Sequence, residues 1–298
     1  MHLFRWAGVD VFLHWSWFLV AAFEISAGAG RYSSIGWNVL EYLALFAIVL
    51  MHEYGHALAC RQVGGRADHI VLWPLGGVAY VDPPPRPGAT LWAIAAGPLV
   101  NVVLLVVVTV VGMMGRSAGI WASVPNLHQL MRALWYINIG LLVFNLLPIY
   151  PLDGGQILRS LLWFVLGRAR SLMAATIIGF MGVLALLAFA VRIHSLWFAV
   201  LSVFILMNCW GGLRHARALS RLAKLPHHEG FACPECKAAP PMGNFWKCAD
   251  CGAAFDTFQT QGICPQCSAR FPTTTCVQCR RQHPVAEWAI AAVAAPKL

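Results

Sequence analysis

The chain has 298 residues, of which 59% are hydrophobic and only 11% charged, with a mean hydropathy of +0.66 and a formal net charge of +9. A soluble domain of this size is roughly a quarter charged, so the composition excludes an ordinary water-soluble globular protein and indicates an integral membrane protein. Six apolar runs approach the length of a spanning helix: 11–27, 37–60, 89–114, 134–149, 172–191 and 196–213. The expected fold is an all-α polytopic membrane protein of about six spans, with both termini on one side.

Charge fixes the side. With both termini cytoplasmic, eleven Lys/Arg fall in the inner segments before residue 226 and four (Arg31, Arg116, Arg132, Arg192) in the outer ones, which is the expected inward bias. The expected location is a bacterial cell membrane. The first run ends in Ala27-Gly28-Ala29, a stretch that also resembles a leader cleavage site. It contains His14 and Glu24 and follows a single arginine, so it is expected to stay as a helix.

The second run carries "MHEYGHALAC" in its inner half. Ionisable side chains at bilayer depth are costly and usually functional. Positions i and i+4 of a helix share a face, so His52 and His56 can offer two imidazoles to one ion. Glu53 sits beside them as a general base rather than a ligand, the mechanics of H-E-x-x-H.

Residues 66–81, "RADHIVLWPLGGVAYV", hold branched and aromatic residues interrupted by Pro74 and Gly76-Gly77. They read as a hairpin dipping toward the site, since irregular backbone is tolerated at that depth only beside protein or water. Its edge can pair with an unwound chain by strand addition, which makes Gly76 and Gly77 candidate substrate-positioning residues. "DPPPRP" is a stiff extended turn. In the third run, Asn101 either orients a ligand or cements helix packing.

A catalytic zinc generally takes three protein ligands and keeps a fourth position open. The third must come from similar depth, and Asp153, in "NLLPIYPLDGG" after the fourth run, fits. Asn145, just upstream, can donate to an oxyanion from its amide.

Taken together, "HEYGHALA", "LWPLGGVA", "GPLVN" and "NLLPIYPLDGGQI", in this order, resemble the site-2 protease family of intramembrane zinc metalloproteases. The opening "GVDVFLHWSWFLV" is similar to the first helix of many bacterial members. The resemblance covers residues 1 to about 215, and H-E-x-x-H combined with P-L-D-G-G is highly specific. It implies His52, His56 and Asp153 as zinc ligands and Glu53 as catalytic base. It also implies that Asn145 and the loop bearing Pro148 and Pro151 position the substrate, a membrane-spanning protein cut within or beside its transmembrane segment.

After residue 225 the composition changes, giving expected domains of 1–225 and 226–298. The tail holds eight of the ten cysteines in four C-x-x-C knuckles. Cys233, Cys236, Cys248 and Cys251 suit one tetrahedral zinc site, and Cys264, Cys267, Cys276 and Cys279 a second, with an interleaved pairing as the alternative. A cytoplasmic tail is kept reduced, which disfavours disulfides. One catalytic and two structural zinc ions are therefore expected. Six Lys/Arg and five Asp/Glu leave the tail near neutral, without the basic footprint of a nucleic-acid binder. Its expected partner is a protein. A membrane zinc carrier or sensor, or a zinc-ribbon adaptor, would use the same ligands, but neither needs a general base at Glu53.

Overall fold

The computed structural model describes residues 1–28, 30–73 and 76–290. Ala29 of the leader-like stretch, Pro74 of the expected hairpin segment and Lys297 of the tail lie outside them. The chain divides into two compact units, residues 1–83 with 87–212, and 84–86 with 213–298. The structural division thus falls within the last long helix, upstream of the composition change at 225.

The first unit is mostly helical, but it opens on a sheet. Strands β1 (His2–Trp6), β2 (Val9–Leu13), β3 (Arg66–Trp73) and β4 (Gly76–Asp82) lie side by side in that order. The β1–β2 and β3–β4 pairs are antiparallel, and β2 runs parallel to β3 with Val11 opposite Ile70 and Leu13 opposite Leu72. Ala7 and Gly8, both at positive φ, make the two-residue turn whose twist suits a hairpin. Alternation does the rest: Val9, Val11, Ile70 and Leu72 are fully buried and pack with Tyr54, Ala57 and Cys60 of the adjoining helix.

This corrects the all-α expectation and the reading of the first apolar run. Residues 11–27 are not one helix but the end of β2, a break at His14–Ser16, and helix α1 (Trp17–Ala27). At about 16 Å, α1 is shorter than the roughly 30 Å hydrocarbon core. A run-length count cannot distinguish a buried strand followed by a short helix from one long helix, because both are continuously apolar.

The remaining helices are α2 (Ile35–Gln62), α3 (Pro87–Ser117), α4 (Ile120–Ser123), α5 (Pro125–Asn145), α6 (Asp153–Arg192) and α7 (Leu196–Leu222). Among the described residues α2, α3, α6 and α7 are long and apolar enough to cross a bilayer, and the chain is an integral membrane protein. Helix α6 is two helices joined at Gly167, whose φ of 77° and ψ of 170° are not helical. Its first part, from Asp153, was not visible to the run count, because two glycines open it and an arginine-rich stretch closes it.

In the second unit two small hairpins, β5–β6 (Trp246–Lys247 with Ala254–Phe255) and β7–β8 (Thr273–Thr275 with Gln282–Pro284), accompany the cysteine knuckles. Trp288 and Phe258 are buried with Cys233 and Cys276. Phe255 is buried with Cys248 and Cys264.

Candidate metal centre

One turn of α2 and the first residue of α6 meet inside the membrane unit. His52, Glu53 and His56 are only 5–6% exposed. The two Nε2 atoms lie 3.1 Å apart, and Asp153 Oδ2 lies 3.1 Å from His52 Nε2 and 3.4 Å from His56 Nε2.

The other ring nitrogens determine what this cluster can hold. His52 Nδ1 is 2.6 Å from Asn101 Oδ1, and His56 Nδ1 is 2.9 Å from the Ala93 carbonyl. Both partners are acceptors, so each ring carries its proton on Nδ1 and presents a bare Nε2 lone pair. The Asn101 amide is oriented in turn by Asn138: Asn101 Nδ2 donates to Asn138 Oδ1, and Asn138 Nδ2 donates to the Asn101 carbonyl, both at 2.8 Å. Asn101 and Asn138 are fully buried.

Two lone pairs and a carboxylate therefore face one another, and the buried Asp153 Oδ2 accepts no hydrogen bond. Three converging acceptors repel unless a cation lies between them. A two-imidazole, one-carboxylate set is a standard zinc donor set with room for a fourth ligand, and outer partners that fix the imidazole tautomers are its usual accompaniment. The residues fit zinc. Gly97 of α3 leaves the necessary space, since a Cβ there would run into His56 and His52 at their Nε2 atoms.

Glu53 points to the sheet. Its Oε2 accepts the Ala79 amide of the edge strand β4 at 2.8 Å, and a Cβ on Gly77 would occupy the place of the Glu53 carboxyl group. Gly76, at φ 136°, opens the same strand. Asp153 is set by a loop folded back over the start of α6. Side chains at Gly154 or Gly155 would collide with backbone of Leu146, Leu147, Ile149 and Tyr150. Gln156 Nε2 donates to the Pro151 carbonyl at 2.9 Å, and Cys209 of α7 reaches the Tyr150 carbonyl at 2.7 Å. Pro148 is exposed in this loop. Asn145 is the last residue of α5, and its side chain has no hydrogen bond among the described residues. The orienting amide that sequence reasoning missed is Asn138, two turns earlier on α5. Its only signal was a polar residue in the apolar stretch "WYINIG".

In the tail the cysteines group as Cys233, Cys236, Cys276 and Cys279, and as Cys248, Cys251, Cys264 and Cys267. The first knuckle joins the fourth and the second joins the third, so the consecutive pairing expected from sequence is replaced by the nested one. The knuckles themselves are equivalent. In each, the residue after the second cysteine (Lys237, Gly252, Ser268, Arg280) has positive φ and donates its amide to the carbonyl of the first cysteine at 2.9–3.0 Å. Closest Sγ–Sγ separations of 3.5–3.8 Å exclude disulfides. They match the edge of about 3.8 Å of a tetrahedron with 2.3 Å metal–sulfur bonds. Both clusters are consistent with zinc ribbons.

Asp256, 3% exposed, ties the tail together. It accepts Gly243 N–H and His228 Nε2–H at 2.8 Å, Phe258 N–H at 3.0 Å and Gln259 N–H at 3.2 Å. Burial alone would raise its pKa, but these donors hold its carboxyl below the usual carboxylate range.

The apolar helices and the buried donor set define a membrane protein with a donor cluster that could hold a metal ion. A family model described as "Peptidase family M50" matches residues 41–123 and 119–189, together half of the chain. A zinc metalloprotease of Methanocaldococcus jannaschii is 32% identical over 69% of this chain and 58% of that protein. A putative zinc metalloprotease of Synechocystis is 30% identical over 72% of this chain and 60% of that protein. The chain thus spans about 60% of the length of these relatives. The structure is similar to that of a site-2 protease from Methanocaldococcus jannaschii, with a TM-score of 0.51 at 28% identity, covering 72% of this chain and 95% of that one. The chain belongs to peptidase family M50.

Proposed function

We propose that the chain is an intramembrane zinc endopeptidase that cuts membrane proteins within or next to a transmembrane segment, in the manner of regulated intramembrane proteolysis. The observation that carries this reading is the buried cluster of two Nε2 lone pairs and the Asp153 carboxylate, with Glu53 beside it. Both relatives cited above are named zinc metalloproteases. A carrier would need the three ligands but not the carboxylate of Glu53.

His52, His56 and Asp153 would hold the ion. Zinc, when bound there, polarises a scissile carbonyl and makes a neighbouring water acidic near neutral pH. Glu53 accepts the proton of the attacking water and delivers it to the leaving amine. The Ala79 amide orients the Glu53 carboxylate by occupying Oε2, leaving Oε1 for the proton. The outer edge of β4 receives an unwound substrate segment as an added strand, with Gly76 and Gly77 keeping that approach clear. Asn145 and the loop of Pro148 and Pro151 position the substrate.

We place both termini in the cytoplasm, consistent with the arginine bias, and the 226–298 tail as a two-zinc module that engages a protein partner. The chain would then carry three ions.

The test is Glu53→Gln, which removes the base and keeps every ligand. Cleavage of a reconstituted transmembrane substrate should fall about a thousandfold at unchanged zinc content. Near-normal turnover by this variant overturns the mechanism.

A further inference from the structure

At the end of α3 remote from the metal ligands the membrane unit has a groove of about 520 Å³, formed with α4 and α5. Arg116 lies fifteen residues beyond Asn101, or about 22 Å along the helix, which puts it at headgroup depth when the ligand cluster lies within the core. Two helical stripes face each other across the groove. One is Val108, Gly112, Met113 and Arg116 on α3, and the other is His128, Met131, Arg132 and Trp135 on α5. Successive members lie one, three or four residues apart, with Val108, Gly112 and Arg116, and His128, Arg132 and Trp135, at helical spacing, which keeps each stripe on one side of its helix.

The walls are fixed. Trp121 of α4 donates its indole N–H to the Gly112 carbonyl at 3.0 Å, and Trp135 donates its own to Thr109 Oγ1 at 3.1 Å. His128 stacks on Trp121 with centroids 5.3 Å apart and ring planes 15° apart. Both indole donors are therefore already used, and what the groove offers a ligand is aromatic face, apolar floor, the His128 imidazole and two guanidinium groups. No acidic side chain lines it, and neither Arg116 nor Arg132 forms an ion pair or hydrogen bond among the described residues.

Two arginines on neighbouring helices, without a carboxylate between them, are stabilised by an anion that their forked donors can grip. At the edge of a hydrocarbon core, above an apolar floor, the anion that also brings apolar chains is a lipid phosphate. We propose that this groove binds one anionic phospholipid, its phosphate held by Arg116 and Arg132, its glycerol region against Trp121 and Trp135, and an acyl chain along Val108, Met113 and Met131. Basic pockets between membrane helices bind acidic headgroups by the same combination. Neither arginine belongs to the catalytic cluster, so this site is independent of the protease reading.

The experiment uses the full chain in nanodiscs with photoactivatable phosphatidylglycerol or phosphatidylcholine, followed by peptide mapping. Phosphatidylglycerol should label residues 108–116 and 128–135 about tenfold more than phosphatidylcholine. Arg116→Gln with Arg132→Gln should remove that preference, leaving phosphatidylcholine labelling unchanged as the measure of an intact groove. Arg116→Lys with Arg132→Lys, which keeps both charges, should retain most of it. Equal labelling by the two lipids in the unaltered chain overturns the proposal, as does an undiminished preference in the glutamine pair. A lysine pair as deficient as the glutamine pair also overturns it, because the preference would then not come from charge. Protection by inorganic phosphate as effective as that by phosphatidylglycerol would make the ligand a free anion and overturn the lipid assignment.

Discussion

In the membrane unit, two of the proposed ligands come from one turn of α2 and the third from the start of α6, and each histidine is held by an acceptor behind it. In the tail, each of four knuckles is complete within five residues, down to the positive φ after its second cysteine. The membrane site is specified by helix periodicity and by buried amides, so its geometry depends on how α2, α3, α5 and α6 pack. The tail's ligands are specified locally and only their partnership depends on packing. A rigid scaffold suits a centre that must leave one coordination position for chemistry, whereas four thiolates close a site and serve the fold.

The widest cut through that contrast is deletion of residues 226–298. Zinc content should fall from three ions per chain to one, and the ion that stays should be bound through nitrogen and oxygen. Cleavage of an artificial transmembrane substrate should persist within a few-fold, since the four chemical residues are all upstream. Zinc quantification with a parallel cleavage assay decides it. Loss of all zinc from a folded truncation would make the tail part of the catalytic centre.

A narrower cut tests the amide relay. Asn101→Ala removes the acceptor behind His52 Nδ1 and frees the ring to change tautomer, with a cost of about 10- to 100-fold in zinc affinity or activity, as outer partners of metal ligands generally show. Asn138→Leu should act in the same direction, because Asn138 fixes which way the Asn101 amide points. Chelator competition measures both. Unchanged affinity in Asn101→Ala would reduce the pair to helix packing.

What the sequence disclosed follows the same division. His52, Glu53 and His56 are legible because one helical turn relates them, and Asp153 because P-L-D-G-G marks a glycine-dependent loop. Asn138 is not legible, since a single asparagine in an apolar helix has the appearance of ordinary packing until its partner is known. Strand β2 was hidden inside an apolar run, because its last residues, Val11, Phe12 and Leu13, are all apolar and lead directly into the apolar helix α1, so alternation is lost where the run begins. The nested cysteine partnership could not be read from spacing because the knuckles are locally equivalent. In the fold it goes with aromatic packing that spacing does not reveal: Trp288 and Phe258 pack with Cys233 and Cys276, and Phe255 packs with Cys248 and Cys264.

That partnership can be counted. Replacing Cys233 and Cys276 by serine together strikes one cluster and should cost one zinc ion. Replacing Cys233 and Cys264 strikes both and should cost two. Consecutive pairing makes both combinations cost two ions, so the zinc stoichiometry of the variant lacking Cys233 and Cys276 separates the two arrangements.

The smallest effect sharpens the claim that the tail's knuckles form locally while their arrangement depends on a shared hub. Asp256→Ala removes the acceptor for donors at residues 228, 243, 258 and 259. Leaving buried donors unpaired costs about 1–3 kcal/mol, and here the charge of the acceptor places the loss toward the upper end. Asp256→Asn keeps the shape and one acceptor oxygen, so it should cost less. Because each knuckle closes through its own backbone bonds, both variants should still bind two zinc ions at saturating metal while unfolding at lower denaturant concentration. Denaturation of the tail followed by Trp246 and Trp288 fluorescence measures the shift. If Asp256→Ala instead abolishes metal binding at saturation, the knuckles are not independently formed and the contrast with the membrane site narrows to ligand chemistry alone.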